Sequence, residues 1–178
     1  LYLKIDSTMR GSVAAQIAGA LTAWRAVHSD ARAVVCPAYP AMGRTIENGR
    51  LLVNGVPVND TPSGRDAICP VLTADMAALL PGALVMPCQD APALADTIRQ
   101  SDVIVIDAQT DDDLRHIAEA IALLGHGAIP VGSAGLANAV VATLPVATAQ
   151  ATADPLPLNA PALLLVTSIH DTSQQQVD

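Results

Sequence analysis

The feature that most restricts the possible folds is a short run between two helical segments, at residues 102–107, whose four interior residues are all apolar. This run, Asp-Val-Ile-Val-Ile-Asp, has no alternating polar residues, which is typical of a strand covered on both faces. Asp90 is predicted to begin a helix that reaches Arg99, and Thr110 another over residues 111–124. Strands alternating with helices predict an α/β fold with a mostly parallel, Rossmann-like sheet and helices on both faces. Since only 2% of residues are aromatic, the core must be aliphatic.

The other predicted segments continue this alternation. Further strands are predicted at residues 1–5, 31–36, 83–86 and 128–131, and further helices at residues 12–28, at residues 73–80 and from the turn at 132–135 to near residue 144, with Ser12 and Thr73 as capping residues. One segment departs from the pattern. Asn54-Gly55 stands between two apolar runs within residues 51–58, which is the signature of a type I′ β-hairpin. We therefore expect an antiparallel hairpin inserted into the α/β pattern.

The character of the chain changes after residue 144. Residues 145–161 carry four prolines and no apolar period, which is typical of a linker. The sequence thus predicts a first domain over residues 1–144, a linker over 145–161 and the start of a second, truncated α/β domain over 162–178. Because the chain opens inside a predicted strand and not on Met, we expect the first domain to lack its N-terminal part.

The composition argues against several kinds of partner. The chain carries nine Lys and Arg against 17 Asp and Glu, a net charge of −8, which disfavours a nucleic-acid-binding surface. No apolar run approaches the roughly 20 residues that cross a bilayer, and no signal peptide is recognisable, so no membrane association is predicted. Three widely spaced cysteines favour neither a disulfide framework nor a zinc site, and they predict a reduced, cytoplasmic location.

A polar cluster occupies the turn between the first strand and the first helix. It contains a carboxylate, two hydroxyls and a guanidinium, from Asp6, Ser7, Thr8 and Arg10, with Lys4 just behind it in the strand. In an open α/β sheet this turn lies at the carboxyl ends of the strands, where ligands bind. The cluster suits a polyhydroxylated anion, and a lysine inside an apolar strand is costly unless it reaches a site or a partner. The alternative is structural: the hydroxyls cap the helix, and Asp6 pairs with Arg10.

Two further loops carry candidate residues. In residues 37–45 two prolines and Gly43 make a rigid loop, in which Arg44 would offer a planar guanidinium to a carboxylate or phosphate. The alternative is an ordinary exposed arginine. The Gly-Ser-Ala-Gly turn at 132–135 opens a helix after a strand, a geometry suited to anions, but it lacks the spacing of the known phosphate-binding loops. Ligand contact and close strand–helix packing both remain open for it.

The remaining ionisable groups favour structural roles. His28, His116 and His126 have no spacing that pairs them as metal ligands, so exposed surface positions are expected. The acidic run at residues 111–113 suits the start of a helix, whose dipole favours negative charge, better than a cation site. No metal ligand is therefore predicted.

Four segments, in order along the chain, resemble motifs of the four-carbon acid sugar kinase family. They are Lys-Ile-Asp-Ser-Thr-Met-Arg-Gly at residues 4–11, Pro-Ala-Tyr-Pro-Ala-Met-Gly-Arg-Thr at 37–45, Asp-Ala-Gln-Thr-Asp-Asp-Asp-Leu at 107–114 and Gly-Ser-Ala-Gly-Leu-Ala at 132–137. After the linker, residues 164–174 resemble the first strand and loop of the family's nucleotide-binding domain. Two family features are absent: an opening Asp-Asp-Leu-Thr-Gly segment and the glycine-rich loops of the ATP domain.

The resemblance implies an ATP-dependent kinase that uses Mg²⁺ and phosphorylates a four-carbon sugar acid such as threonate, erythronate or 3-oxo-tetronate. This chain would supply most of the substrate-binding domain. The resemblance implies catalytic roles for Asp6 and Arg10, and an ATP contact at Ser168, although the loop around Ser168 departs from the family's Gly-Ser start. The general base is either Asp6 or a residue outside this chain, and a homodimer is left open. The substrate-binding residues implied are Lys4, Asp6, Ser7, Arg10 and Arg44.

Two other functions are weighed against the kinase. A non-catalytic sugar-acid-binding or effector-like module would use the same anion-binding turn without transferring phosphate. A dinucleotide-dependent oxidoreductase is disfavoured because the Gly-x-Gly-x-x-Gly motif is missing.

Overall fold

The computed structural model describes residues 1–145, and all structural statements below concern that part of the chain. The strands are β1 (Leu3–Lys4), β2 (Arg32–Cys36), β3 (Arg44–Glu47), β4 (Arg50–Val53), β5 (Val56–Pro57), β6 (Leu84–Met86), β7 (Val103–Ile106) and β8 (Ala128–Gly132). The α-helices are α1 (Val13–Arg25), α2 (Met76–Leu79), α3 (Ala91–Ile98), α4 (Asp111–Leu124) and α5 (Ala134–Thr143). The predicted linker, the predicted second-domain strand and Ser168 lie outside the described residues.

The main sheet has five strands in the order β1-β8-β2-β7-β6, and every neighbouring pair runs parallel. The chain moves one way across this sheet from β1 to β2 and the other way from β6 through β7 to β8. Right-handed crossovers therefore place α1 on one face and α3 and α4 on the other. Helix α5 packs beside α4, and α3 packs on its other side. The α/β prediction with helices on both faces is confirmed.

The core lies around the three central strands. The side chains of β2, β7 and β8 are almost completely buried, as their uninterrupted apolar sequence requires. Within residues 1–145 every large, fully buried side chain is Ile, Leu, Met or Val. The predicted aliphatic core is thus observed.

The predicted hairpin is part of a three-stranded antiparallel sheet, β3-β4-β5. Asn54 and Gly55 adopt φ angles of 51° and 77°, which fit the predicted type I′ turn. A second turn, at Asn48 and Gly49, has φ angles of 51° and 72° and joins β3 to β4. This turn is not predicted from the sequence. The small sheet joins the main one where Ile46 and Ala108 exchange backbone hydrogen bonds of 2.9 and 3.1 Å.

Three predictions about individual strands and helices need correction. Strand β1 spans two residues at the edge of the sheet and is partly exposed, so it is not a buried strand. Ser12 precedes α1 but its side chain makes no capping hydrogen bond. The helix predicted from Thr73 begins later, because Asp75 caps α2 through the Ala77 N–H at 3.0 Å.

A cluster of three rings closes the far end of α1. The Trp24 indole N–H donates to the backbone oxygen of His126 at 3.0 Å. The His28 ring lies 4.7 Å from the Trp24 ring and stacks on the His126 ring, also at 4.7 Å. His126 is exposed as predicted and His28 is half-buried, but the prediction that the two are isolated is wrong, since their rings stack and the cluster ties α1 to the loop that precedes β8.

Candidate functional site

The candidate site lies where two turns meet at the carboxyl edge of the main sheet. Strands β1 and β8 are neighbours, yet α1 and α5, which follow them, lie on opposite faces. Ligands of open α/β sheets bind in the crevice at such a reversal. The two strand ends are joined by a hydrogen bond from the Ile5 N–H to the Gly132 oxygen at 2.9 Å and by one from the Tyr2 hydroxyl to the Ser133 oxygen at 2.7 Å.

The turn after β1, residues 6–11, is held in an uncommon backbone conformation. The Met9 N–H donates to the Asp6 backbone oxygen at 3.0 Å, and Met9 has a φ of 63° although it is not glycine. Its side chain is 5% exposed and belongs to the hydrophobic core. Burial of Met9 therefore holds a conformation that a non-glycine residue seldom adopts, and such conformations concentrate at functional sites.

One carboxylate oxygen organises this turn. Asp6 Oδ2 accepts hydrogen bonds from the Thr8 hydroxyl at 2.6 Å, from Arg10 Nε at 2.7 Å and from the Arg10 backbone N–H at 3.3 Å. Partial burial works to raise the pKa of Asp6, but the hydrogen bonds from Arg10 and Thr8 outweigh it and hold the pKa below its ordinary value. A carboxylate with a lowered pKa is a weak proton acceptor, so this geometry suits orientation and hydrogen bonding better than general-base catalysis.

Arg10 contacts a second carboxylate from a distant part of the chain. Its Nη1 lies 3.3 Å from Asp66 Oδ2, while Nε pairs with Asp6. The Arg10 side chain is 39% exposed, and within residues 1–145 no hydrogen bond is formed by Nη2. The structure therefore contains the Asp6–Arg10 pair of the structural alternative and also leaves one nitrogen of Arg10 open to a ligand.

Lys4 also lies beside this turn, but it is exposed and not inside a buried strand as predicted. It lies on an edge strand and is exposed, so the predicted cost of burying its charge does not arise. Its ammonium donates to the Ile5 backbone oxygen at 2.7 Å, which keeps the charge beside the turn. The prediction that Lys4 emerges near the turn agrees with the structure, but the burial argument for it is wrong.

These residues line an open depression of about 530 Å³. Its other wall comes from residues 66–69, which the sequence did not single out. Asp66 accepts the N–H groups of Ile68 and Cys69 at 3.0 and 2.9 Å, so the segment folds around this carboxylate. The signal that could have found this residue is an Asp in an irregular segment between two prolines, because Asx turns form in such segments. The lining residues are Lys4, Ile5, Asp6, Arg10, Gly11, Asp66, Ile68 and Cys69.

Two predicted site residues are not among those that line the depression. The Ser7 hydroxyl is partly buried and makes no hydrogen bond within residues 1–145. Arg44 begins β3, and its guanidinium donates to the Met42 backbone oxygen. A Cβ on Gly43 would lie 1.8 Å from the Asn54 side-chain oxygen, so this glycine is needed for contact with the hairpin. The rigid loop predicted around Arg44 thus supports the small sheet.

The turn after β8, residues 132–135, is closed by packing. The Ser133 hydroxyl donates to the Ala38 oxygen at 2.7 Å and accepts the Gly135 N–H at 3.0 Å, and its side chain is buried. A Cβ on Gly132 would lie 2.7 Å from the Cys36 oxygen, and one on Gly135 would lie 2.7 Å from the Ala38 oxygen. Of the two interpretations left open for this turn, the geometry favours close packing.

The acidic residues after β7 also have structural partners. Asp113 accepts the backbone N–H groups of Gln109 and Thr110, both at 2.9 Å, and Thr110 caps α4 in return. The predicted helix start is confirmed. Asp107, which the sequence did not single out, is buried, and burial raises its pKa while it accepts the Gly49 N–H at 3.0 Å. It anchors the turn at residues 48–49 and so fixes the small sheet to the end of β7.

A larger cavity, of about 660 Å³, lies between α4 and α5 and is reached by the loop that follows β2. It contains none of the residues predicted to bind substrate, although Gly135 of the turn at residues 132–135 lines it. Its arginine, Arg115, is paired with Asp112 and Glu119 at 2.7 Å each. The depression beside Arg10 is therefore the better candidate for an anion.

Across residues 1–145 no group of three or more His, Cys, Asp and Glu side chains is arranged to hold a metal ion. In the same range none of the helices has both the length and the apolar character needed to cross a bilayer.

Comparison with known proteins finds a family model and several relatives that match most of the chain. The family model described as "Sugar-binding N-terminal domain" matches residues 1–140. The chain is 39% identical to the D-threonate kinase of Bordetella bronchiseptica over 180 residues, which covers 99% of this chain and 41% of the relative. It is 31% identical to the D-erythronate kinase of Heliobacterium modesticaldum over 155 residues, 78% of this chain and 34% of the relative. The chain thus spans about two fifths of the length of the curated relatives it matches.

The fold agrees with a solved structure. A domain of unknown function from Bordetella bronchiseptica, crystallised with bound citrate as a domain-swapped dimer, superposes with a TM-score of 0.73. The two sequences are 42% identical, and the match covers 79% of this chain and 36% of that one.

Proposed function

Because the chain belongs to the four-carbon acid sugar kinase family, in which it corresponds to the sugar-binding N-terminal domain, we propose that its protein transfers phosphate from ATP to a four-carbon sugar acid. In this proposal residues 1–144 bind the acid, residues 145–161 are a linker, and residues 162–178 begin the nucleotide-binding domain. The single observation that carries the proposal is the open depression in which Lys4 and Arg10 stand beside Asp6. A chain with a net charge of −8 has few cations to spare, and two of its nine lie here.

The site would recognise an acid that carries both a carboxylate and hydroxyl groups. Arg10 Nη2 and the Lys4 ammonium would pair with the carboxylate, since hydrogen bonds between charged partners are the strongest available. Asp6 Oδ1 accepts no hydrogen bond within residues 1–145 and would accept one from a substrate hydroxyl. Citrate in the Bordetella crystal structure, itself a hydroxy acid, supports binding of such anions by this fold. Arg44 and Ser7 stay substrate-binding candidates only if a bound acid extends beyond the depression.

Phosphoryl transfer asks little covalent chemistry of the protein, so positioning of the acid and neutralisation of charge would do most of the work. Mg²⁺ and ATP belong to the proposal as cofactors, held by residues outside 1–145, with Ser168 as one contact. A homodimer is also proposed, supported by the domain-swapped dimer of the Bordetella relative. A cytoplasmic location is supported by three cysteines that form no disulfide.

The decisive experiment measures ADP formation by the protein that contains this chain, at full length, with D-threonate, D-erythronate and 3-oxo-tetronate. We expect ADP formation with at least one of these acids, and no reduction of NAD⁺ to NADH by any of them. The 178-residue chain alone should show no turnover. If the full-length protein binds an acid but never consumes ATP, the non-catalytic binding module replaces the kinase.

Thiol labelling locates the bound acid without any need for turnover. Cys69 lines the depression, whereas burial raises the pKa of Cys36 to about 12 and that of Cys88 to about 11. Iodoacetamide at about pH 8 should therefore alkylate Cys69 first, because the thiolate is the reactive form. Saturating D-threonate should protect Cys69 and leave slow labelling of Cys88 unchanged. Unchanged labelling of Cys69 at saturation would place the acid elsewhere.

A further inference from the structure

We propose that Asp66 is a positioning residue that orients Arg10 for the anionic group of the substrate. The inference rests on the proposed function, since it assigns Arg10 to the acid. Asp66 is 56 residues away from Arg10 in sequence and belongs to none of the four motifs that carry the family resemblance. Together with Asp6, it is the second carboxylate that contacts the Arg10 guanidinium.

The Asp66 carboxylate is itself fixed. Its Oδ1 accepts two backbone hydrogen bonds, from Ile68 at 3.0 Å and from Cys69 at 2.9 Å, and these lower the pKa of Asp66. The group is therefore ionised at neutral pH. With Oδ1 occupied, Oδ2 is the oxygen directed at Arg10, at 3.3 Å from Nη1.

The two carboxylates together determine how the guanidinium lies. Arg10 Nε is bound to Asp6 at 2.7 Å and Nη1 is directed to Asp66, so the planar group is held on two of its sides. The third side, Nη2, makes no hydrogen bond within residues 1–145 and is available there to a ligand. An arginine ordered before binding loses less side-chain freedom when the ligand arrives, which strengthens binding. With Asp6 alone, the guanidinium could rotate about one contact.

A purely structural role for the Arg10–Asp66 pair fits the structure less well. The loop that carries Asp66 is anchored without Arg10, because the Thr61 hydroxyl donates to the Val58 oxygen at 2.6 Å and the Val71 N–H donates to the Ser63 oxygen at 3.0 Å. Thr61 and Val71 are both buried. An exposed ion pair adds little to a loop anchored in this way.

The test is Asp66→Asn in the full-length protein. The asparagine oxygen can still accept the two backbone N–H groups, while the negative charge facing Arg10 is lost. We expect KM for the acid to rise about 5- to 20-fold with kcat changed less than about 3-fold, as for a lost charge-assisted contact made before the transition state. In an Arg10→Ala background the same substitution should have no further effect. Asp60→Asn, an equal change of charge at an exposed carboxylate bonded to Asn59, is the matched control and should leave KM unchanged.

A second readout separates this inference from the proposed function. The ¹⁵N relaxation of Arg10 Nε–H reports the order of the guanidinium even if no acid is phosphorylated. Asp66→Asn should increase its motion, and Asp60→Asn should not. The inference is overturned by unchanged order of Arg10 in Asp66→Asn, by a KM effect that persists in the Arg10→Ala background, or by an unchanged KM in an active enzyme.

Discussion

The turns after β1 and β8 lie on neighbouring strands, and both matched family motifs, but they are built in opposite ways. In the turn after β1, polar atoms of Asp6 and Arg10 remain open beside a depression of about 530 Å³. In the turn after β8, the Ser133 hydroxyl is used twice within the chain, and two glycines admit neighbouring backbone. The same edge of one sheet therefore carries one turn that is open to a ligand and one that is closed by packing.

The difference shows what separates an open turn from a packed turn. Both turns are short, contain glycine and precede a helix, so residue type and spacing do not distinguish them. What distinguishes them is where the hydrogen-bonding groups go: into the chain at Ser133, and partly toward solvent at Arg10. Substitutions in the first turn should therefore change activity, and substitutions in the second should change stability.

The largest effect is expected from Arg10→Ala in the full-length enzyme. Loss of a charge-assisted contact to a bound anion should reduce kcat/KM about 30- to 1,000-fold, while the melting temperature changes little because the side chain is 39% exposed. Arg10→Lys should restore activity only partly, since a point charge cannot make the same planar contacts.

Arg99→Ala is the control for Arg10→Ala, because Arg99 is an exposed arginine in a single ion pair with Asp96. It should leave both quantities unchanged. An Arg10→Ala enzyme that is destabilised but fully active would show that the two turns do not differ in kind.

The next largest effect is expected from Gly135→Ala in the turn after β8. The added Cβ would lie 2.7 Å from the Ala38 oxygen and 2.9 Å from Tyr39 Cα, both backbone atoms that cannot move aside cheaply. Overpacking of this kind should lower the free energy of unfolding by about 1–3 kcal/mol, as measured by urea denaturation. Gly19→Ala in exposed α1, where nothing lies within 4 Å, should be neutral or slightly stabilising. Equal effects at the two glycines would remove the case for a packed turn.

Ser133→Ala tests the hydroxyl of the same turn. It removes the cap of α5 and leaves the Ala38 oxygen without its donor, so we expect a loss of about 1–2 kcal/mol in unfolding free energy. Ser12→Ala is a close control, since Ser12 occupies the equivalent position before α1 and makes no capping hydrogen bond. Its free energy of unfolding should stay within about 0.5 kcal/mol of the parent value.

The smallest effect concerns pH. The pKa of Asp6 is lowered in the folded chain, so its contribution to stability is present above its ordinary value of 3.8 and is lost as the pH falls through the folded value. Asp6→Asn should therefore cost under about 1 kcal/mol at pH 7 and less at an acid pH below 3.8. Ser133 does not titrate, so the cost of Ser133→Ala should be the same at both pH values. A cost of Asp6→Asn that persists at acid pH would mean that charge is not what the first turn contributes.

Local patterns predicted the fold well, and three-dimensional neighbours account for most of what they missed. Asn54-Gly55 was recognisable because apolar residues flank it, whereas Asn48-Gly49 stands between Glu47 and Arg50, which face each other across the turn. Because these two residues are charged, the turn is not flanked by the apolar runs that mark a hairpin, although the charges help to pair the two strands. The cost assigned to Lys4 was wrong because strand order, and hence the edge position of β1, cannot be read from a single segment.

Of the candidate site, the sequence singled out only the local part. Asp6 and Arg10 belong to one turn and are four residues apart, so their cluster could be recognised. Asp66 approaches Arg10 across 56 residues and an irregular segment, so no spacing rule connects the two. Conversely, Arg44 was predicted to bind substrate because its loop is rigid. In the structure that loop packs against the hairpin, where Gly43 contacts Asn54.

The ring cluster at the far end of α1 contains an intrinsic fluorescence probe. Trp24 is the only tryptophan of the chain, and its indole lies against one imidazole and is bonded to the backbone of another histidine. Since Trp24 lies near the end of α1 and is bonded to the loop that precedes β8, its emission reports on the contact between that helix and that loop. The wavelength and intensity of its emission should follow the unfolding of this domain without any label. The same signal can be used to measure each of the stability differences predicted above.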